Sequence, residues 1–128
     1  MKEPLALVGM SCRLPGGDGL DEFWKLVAQG ATAWGSLPAD RLNRNLYFAS
    51  EKGTVGKSYS ELGGLVSDRP VDRSVCPLTS EHIENYDIAH QVFLEVASRA
   101  CRDAGLDPFA MPKHSRTGVY VGHTGGSA

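Results

Sequence analysis

The sequence predicts an α/β fold, and three observations predict it: two short apolar runs without alternation, two long segments with helical apolar spacing, and Gly/Pro-rich joints between them. A chain of 128 residues with 41% hydrophobic residues has the size of one domain and enough apolar material for a core.

The first element is the run Leu5-Ala-Leu-Val8, closed by Gly9. Its continuity suits a strand buried on both faces, as in a parallel sheet covered by helices. A Pro/Gly loop follows from Arg13 to Gly19, and Asp18 is placed to cap a helix carrying Leu20, Phe23, Trp24 and Val27 at i, i+3, i+4, i+7. Trp24 reads as core, and Gly30 as the helix stop. Residues 31 to 79 read as irregular, broken by Pro38, Pro70 and Pro77 and by Gly53, Gly56, Gly63 and Gly64. A second, single helix is expected from an N-cap at Thr79 or Ser80 to Ala104. Glu81 and Glu84 occupy its first turn, Ile83, Tyr86, Phe93, Leu94, Ala97, Cys101 and Ala104 trace one face, and Gly105 with Pro108 ends it. Thr117-Gly-Val-Tyr-Val-Gly122 is the second buried strand, running into His123-Thr-Gly-Gly126.

The net charge of −2, with Arg41, Arg44, Arg69 and Arg73 scattered among acids, gives no electrostatic reason for a nucleic acid or anionic membrane partner. Cys12, Cys76 and Cys101 are odd in number and widely spaced, which fits neither a disulfide framework nor a metal knuckle and suits reduced thiols in a cytoplasmic protein. Leu5 to Met10 is far shorter than the ~20 residues of a membrane span, and no signal-peptide pattern precedes it.

Short motifs fail on their spacing. Gly56-Lys57-Ser58 ends like a phosphate-binding loop, but Glu51 stands where its first glycine belongs. After Gly16-Gly-Asp-Gly19, Glu22 occupies the third glycine of a dinucleotide fingerprint. His82 and His90 lie eight apart, ~12 Å along a helix and too far for one ion, while His114 and His123 form no ligand pair. Cys12 has only Arg13 beside it to activate a thiolate, so a small buried thiol is the plainer reading. No catalytic, cofactor-binding or metal-binding residue is therefore assigned.

Three stretches in order, Val8-Gly-Met-Ser-Cys-Arg-Leu-Pro-Gly-Gly17 with Phe23-Trp24-Lys-Leu26, Gly56-Lys-Ser-Tyr-Ser60 with Gly63-Gly64, and Leu94-Glu-Val-Ala97 through Asp103-Ala-Gly-Leu-Asp-Pro108 to Arg116-Thr-Gly-Val-Tyr-Val-Gly122, resemble the N-terminal region of beta-ketoacyl synthases of type I polyketide and fatty-acid synthases. Two departures are visible. Tyr86-Asp87-Ile88-Ala89 stands where the family places Met-Asp-Pro-Gln, and Val71-Asp-Arg-Ser-Val-Cys76 lacks the family's aromatic residues. With the His123-Thr-Gly-Gly126 ending, they bring the chain closer to iterative synthases of long-chain lipids or glycolipids.

The resemblance implies a thiolase-like, layered αβαβα fold, of which residues 1–128 would be the N-terminal portion, and a decarboxylative Claisen condensation of acyl and malonyl thioesters. The family's nucleophilic cysteine and two histidines belong to later motifs that none of this chain's cysteines or histidines matches. The expectation is a portion of an acyltransferase that is inactive by itself. The alternative is a non-catalytic interaction module that keeps the scaffold. No cofactor is expected on the chain itself. In the complete enzyme the resemblance implies phosphopantetheine-linked acyl substrates, an acyl carrier protein, the remainder of the synthase and a homodimer. His123, Thr124, Gly125 and Gly126 follow the carboxyl end of a predicted strand, where ligands gather in open α/β sheets, and the resemblance implies that they border the acyl pocket; the alternative is that Gly125 and Gly126 only supply a turn with positive φ.

Overall fold

The computed structural model describes residues 4–76, 79–110 and 116–123. Its elements are α1 (Leu20–Ala28), β1 (Trp34–Ser36), α2 (Arg44–Tyr47), β2 (Leu62–Gly64), a 3-10 turn (Arg73–Val75), α3 (Ser80–Glu84) and α4 (Ile88–Asp103).

The two apolar runs expected to be buried strands are neither buried nor in strands. Leu5 is 99% exposed and Tyr120 96%, with Leu7, Val8, Val119 and Val121 exposed as well. A strand buried on both faces needs neighbours that take its hydrogen bonds and cover its side chains. Among the described residues the only ladder is β1 with β2, far along the chain from both runs.

Gly9 anchors the end of the first run. A Cβ there would collide with the carbonyl oxygen of Ala100 and lie 2.7 Å from the Ala104 nitrogen, so only glycine lets the chain cross this end of α4. Met10 fixes the crossing by donating its N–H to Asp103 Oδ2 at 2.8 Å. The chain then turns at Leu14-Pro-Gly-Gly17, where the Gly17 N–H donates to the Leu14 carbonyl at 3.0 Å. Proline followed by Gly16 at φ +74° is the sequence that a type II turn favours.

Asp18 does not cap α1. Gly19 is the N-cap residue and offers no side chain, while Glu22 reaches back to accept the Asp18 N–H at 2.7 Å. The Asp18 carboxylate turns instead towards Ser67 and Arg69. Gly30, at φ +60°, ends α1 in a Schellman turn in which the Ala31 N–H donates to the Leu26 carbonyl. Trp24 is 68% exposed, so its reading as core is corrected: α1 fully buries none of its residues, and Phe23, Trp24 and Val27 of its apolar stripe are exposed while Leu20 is half-buried.

The segment read as irregular contains a small antiparallel ladder, with Trp34 opposite Gly64, Gly35 opposite Gly63 and Ser36 opposite Leu62. Half of these ladder positions are glycine, which removes both β propensity and alternation from the sequence signal. Between its strands, Asn43 caps α2, and Arg44 pairs with Glu61 at 2.5 Å.

The expected single second helix is divided. Asp87 interrupts it by capping α4, its Oδ1 accepting the Ala89 N–H at 2.8 Å. The face α4 buries is also not the apolar one, because Glu95 and Ser98 are its buried residues whereas Phe93 is exposed. Val71, Val75 and Cys76 form a small buried cluster against Val92 and Leu94. Gly105, at φ +74°, stops α4 with the Leu106 N–H donating to the Cys101 carbonyl.

Candidate functional site

Glu95 organises the best-connected site in the described residues. Its side chain is fully buried in the middle of α4 and meets guanidinium groups from three parts of the chain. Arg13 Nη1 lies 3.2 Å from Oε2, Arg69 Nη2 lies 2.7 Å from Oε1, and Arg99 Nε, one turn further along α4, lies 3.0 Å from Oε1. The Asp72 backbone N–H adds a contact at 3.4 Å.

A second ring of partners takes most of the remaining donors, leaving Arg13 Nε buried without a hydrogen bond, 3.9 Å from Asp18 Oδ1. Arg13 also donates to the carbonyls of Ser67 and Arg69, Arg69 Nε to Asp18 Oδ2 at 3.1 Å, and Arg99 Nη2 to Asp72 Oδ2 at 2.9 Å. Three arginines thus balance Glu95, Asp18 and Asp72. The network ties the Arg13–Asp18 loop and the Ser67–Asp72 segment to α4. The deep pair is Arg13 with Glu95, whose charge is matched by Arg69 and Arg99 at the half-buried edge of the network.

Burial alone would raise the Glu95 carboxyl, but the hydrogen bond and charge of Arg69, with contacts from Asp72 and Arg99, hold it below its ordinary value of 4.5. Asp18 is lowered chiefly by the Ser67 hydroxyl, against burial and with help from Arg69 and Arg13. Asp72 is lowered chiefly by the Ser74 hydroxyl. All three bind protons more weakly folded than unfolded. Their contribution to stability is therefore complete above their ordinary values and is lost as the pH falls through the folded ones. The thermal midpoint is expected to be flat above about pH 5 and to drop below about pH 4. A melting series from pH 7 to pH 3 checks this, and a midpoint that rises on acidification would contradict it.

The thiols behave oppositely to nucleophiles. Cys12 is pushed up by burial and by the charge of Glu22; Cys76 is pushed up by burial and by Glu95 and Asp72, with Arg99 offsetting part of the effect. Catalytic cysteines need an electropositive setting that lowers the value. The three described histidines are engaged in local contacts or exposed. His82 Nδ1 lies 2.6 Å from Thr79 Oγ1, the His90 ring meets Tyr86 edge-on at 6.5 Å, and His123 is exposed. No cluster able to hold a metal ion occurs among the described residues. Of the candidate acyl-pocket residues, only His123 is described; Thr124, Gly125 and Gly126 lie outside the described residues, as does His114.

A cleft of about 720 Å³ separates the first turn of α1 from the last turns of α4, between Asp18, Asp21 and Glu22 on one side and Arg99, Arg102 and Asp103 on the other. Its charges are largely committed to neighbours: Asp18 to Arg69, Glu22 to the Asp18 N–H, Arg99 to Asp72 and Asp103 to the Met10 N–H. Arg102 lies 5.8 Å from the centre of the Phe109 ring. What this site does chemically is hold segments together.

Sequence reasoning does not single out the Glu95 network and sees Arg69 as one of several scattered cations. A signal is nonetheless present. Glu95 is the one acid among Val92, Phe93, Leu94, Val96 and Ala97, and an acid inside such a run needs buried partners if the run packs.

Comparisons with known proteins agree with this scaffold. Residues 2–128 match the family model described as beta-ketoacyl synthase, N-terminal domain. Polyketide synthase GfsB of Streptomyces halstedii is 40% identical over 123 residues, covering 94% of this chain and 2% of that protein. A phenolphthiocerol/phthiocerol polyketide synthase polypeptide of Mycobacterium bovis is 34% identical over 122 residues, covering 94% of this chain and 7% of its own length. The chain thus spans only a small part of the curated relatives it matches. Among solved structures, an oxazolomycin ketosynthase domain of Streptomyces albus JA3453 superposes with a TM-score of 0.63 at 26% identity, over 76% of this chain and 17% of that one. No helix among the described residues is long and apolar enough to cross a membrane. The fold is the N-terminal portion of the thiolase-like architecture, and the chain belongs to the beta-ketoacyl synthase family.

Proposed function

We propose that this chain supplies the N-terminal scaffold of a ketosynthase that joins acyl and malonyl thioesters by decarboxylative Claisen condensation in polyketide or fatty-acid biosynthesis. The observation that carries this reading is the match of residues 2–128 to the family's N-terminal domain, together with the solved ketosynthase domain that superposes on it. The chain's own residues contribute rigidity. Glu95 and its arginines fix the loop that follows the first apolar run, so the run leaves α4 at a defined place.

The acyl groups would arrive on carrier-protein phosphopantetheine as substrate, in a cytoplasmic, homodimeric enzyme. A product of the long-chain lipid type is favoured by the departures at Tyr86 to Ala89 and Val71 to Cys76. His123, Thr124, Gly125 and Gly126 would border the acyl pocket. A second reading is an interaction module that keeps the scaffold without chemistry; the raised thiols of Cys12 and Cys76 fit both readings.

A graft separates the two. Residues 1–128 replace the corresponding region of an active ketosynthase. Turnover within about tenfold of the parent, under about 1.4 kcal/mol in the barrier, is expected for a scaffold. A folded chimaera without condensing activity would overturn the ketosynthase reading and leave the interaction module. In the active chimaera, Gly125→Ile is expected to shorten the accepted acyl chain. An unchanged chain-length profile would remove these glycines from the pocket.

A further inference from the structure

We draw no further inference here: the strongest candidate, the exposed apolar surface formed by Phe23, Trp24 and Val27 on α1 and by the extended runs at Leu5 to Val8 and Val119 to Val121, carries nothing because nothing in the structure shows what covers it.

Discussion

Glu95→Ala is expected to destabilise the chain by about 3 to 5 kcal/mol, the range for removing one partner from a buried ion pair. The Arg13 side chain is only 3% exposed and lies against Glu95, so truncation leaves a buried guanidinium without its nearest carboxylate, hydrogen-bonded to the Ser67 and Arg69 carbonyls alone. Arg69 and Arg99 converge on the same vacated carboxylate, and their repulsion adds to the cost. The exposed pair Arg73 with Glu84, at 2.6 Å, serves as a control, because such pairs are worth about 0 to 1 kcal/mol. Urea unfolding of the Glu95→Ala and Glu84→Ala variants makes the comparison. A Glu95→Ala effect below about 1 kcal/mol would show that the network follows the packing and does not hold it.

No acyl-cysteine is expected to form on this chain, with a rate deficit on the order of 10⁴ to 10⁶ relative to a complete catalytic set. Cys76 is buried, and both it and Cys12 sit where burial and nearby carboxylates disfavour the thiolate, the opposite of what covalent catalysis requires. Incubation with a radiolabelled acyl thioester tests this directly. Label that is retained by the chain and disappears in a Cys12→Ser variant would make Cys12 a nucleophile and contradict the scaffold reading.

The parts of the fold legible in the sequence are those set by local chemistry. Positive-φ glycines stop α1 at Gly30 and α4 at Gly105, because no other residue makes that turn as readily. The family, too, is legible, carried by the loop at Cys12 to Gly17 and by the Asp103 to Pro108 turn.

Most of what is not legible depends on distant partners, the Asp87 cap being a local exception. Asp18 satisfies the local rule for a helix cap, yet Arg69, 51 residues away, and the Ser67 hydroxyl take its carboxylate. Asp87 divides a helix whose apolar spacing reads as continuous, since a capping carboxylate acts through one hydrogen bond that periodicity does not record. The runs at Leu5 and Val119 read as buried because their composition is that of buried strands. Burial is a property of the partners as well as of the run, and the described residues supply no strand beside either. The acyl-pocket candidates rest on the same strand assignment. His123, the member that is described, stands exposed beyond a run that is not in a sheet.

Glu95 clamps this chain, and its two apolar runs do not pair with each other. Amide hydrogen exchange reads out both features at once. Amides in the middle of α4, around Glu95 to Ala100, are expected to be the slowest to exchange, while those of Leu5 to Val8 and Val119 to Val121 exchange at nearly unfolded rates. Strong protection in both runs, with α4 exchanging no more slowly than they do, would contradict both and show a sheet, not the Glu95 network, as the centre of the fold.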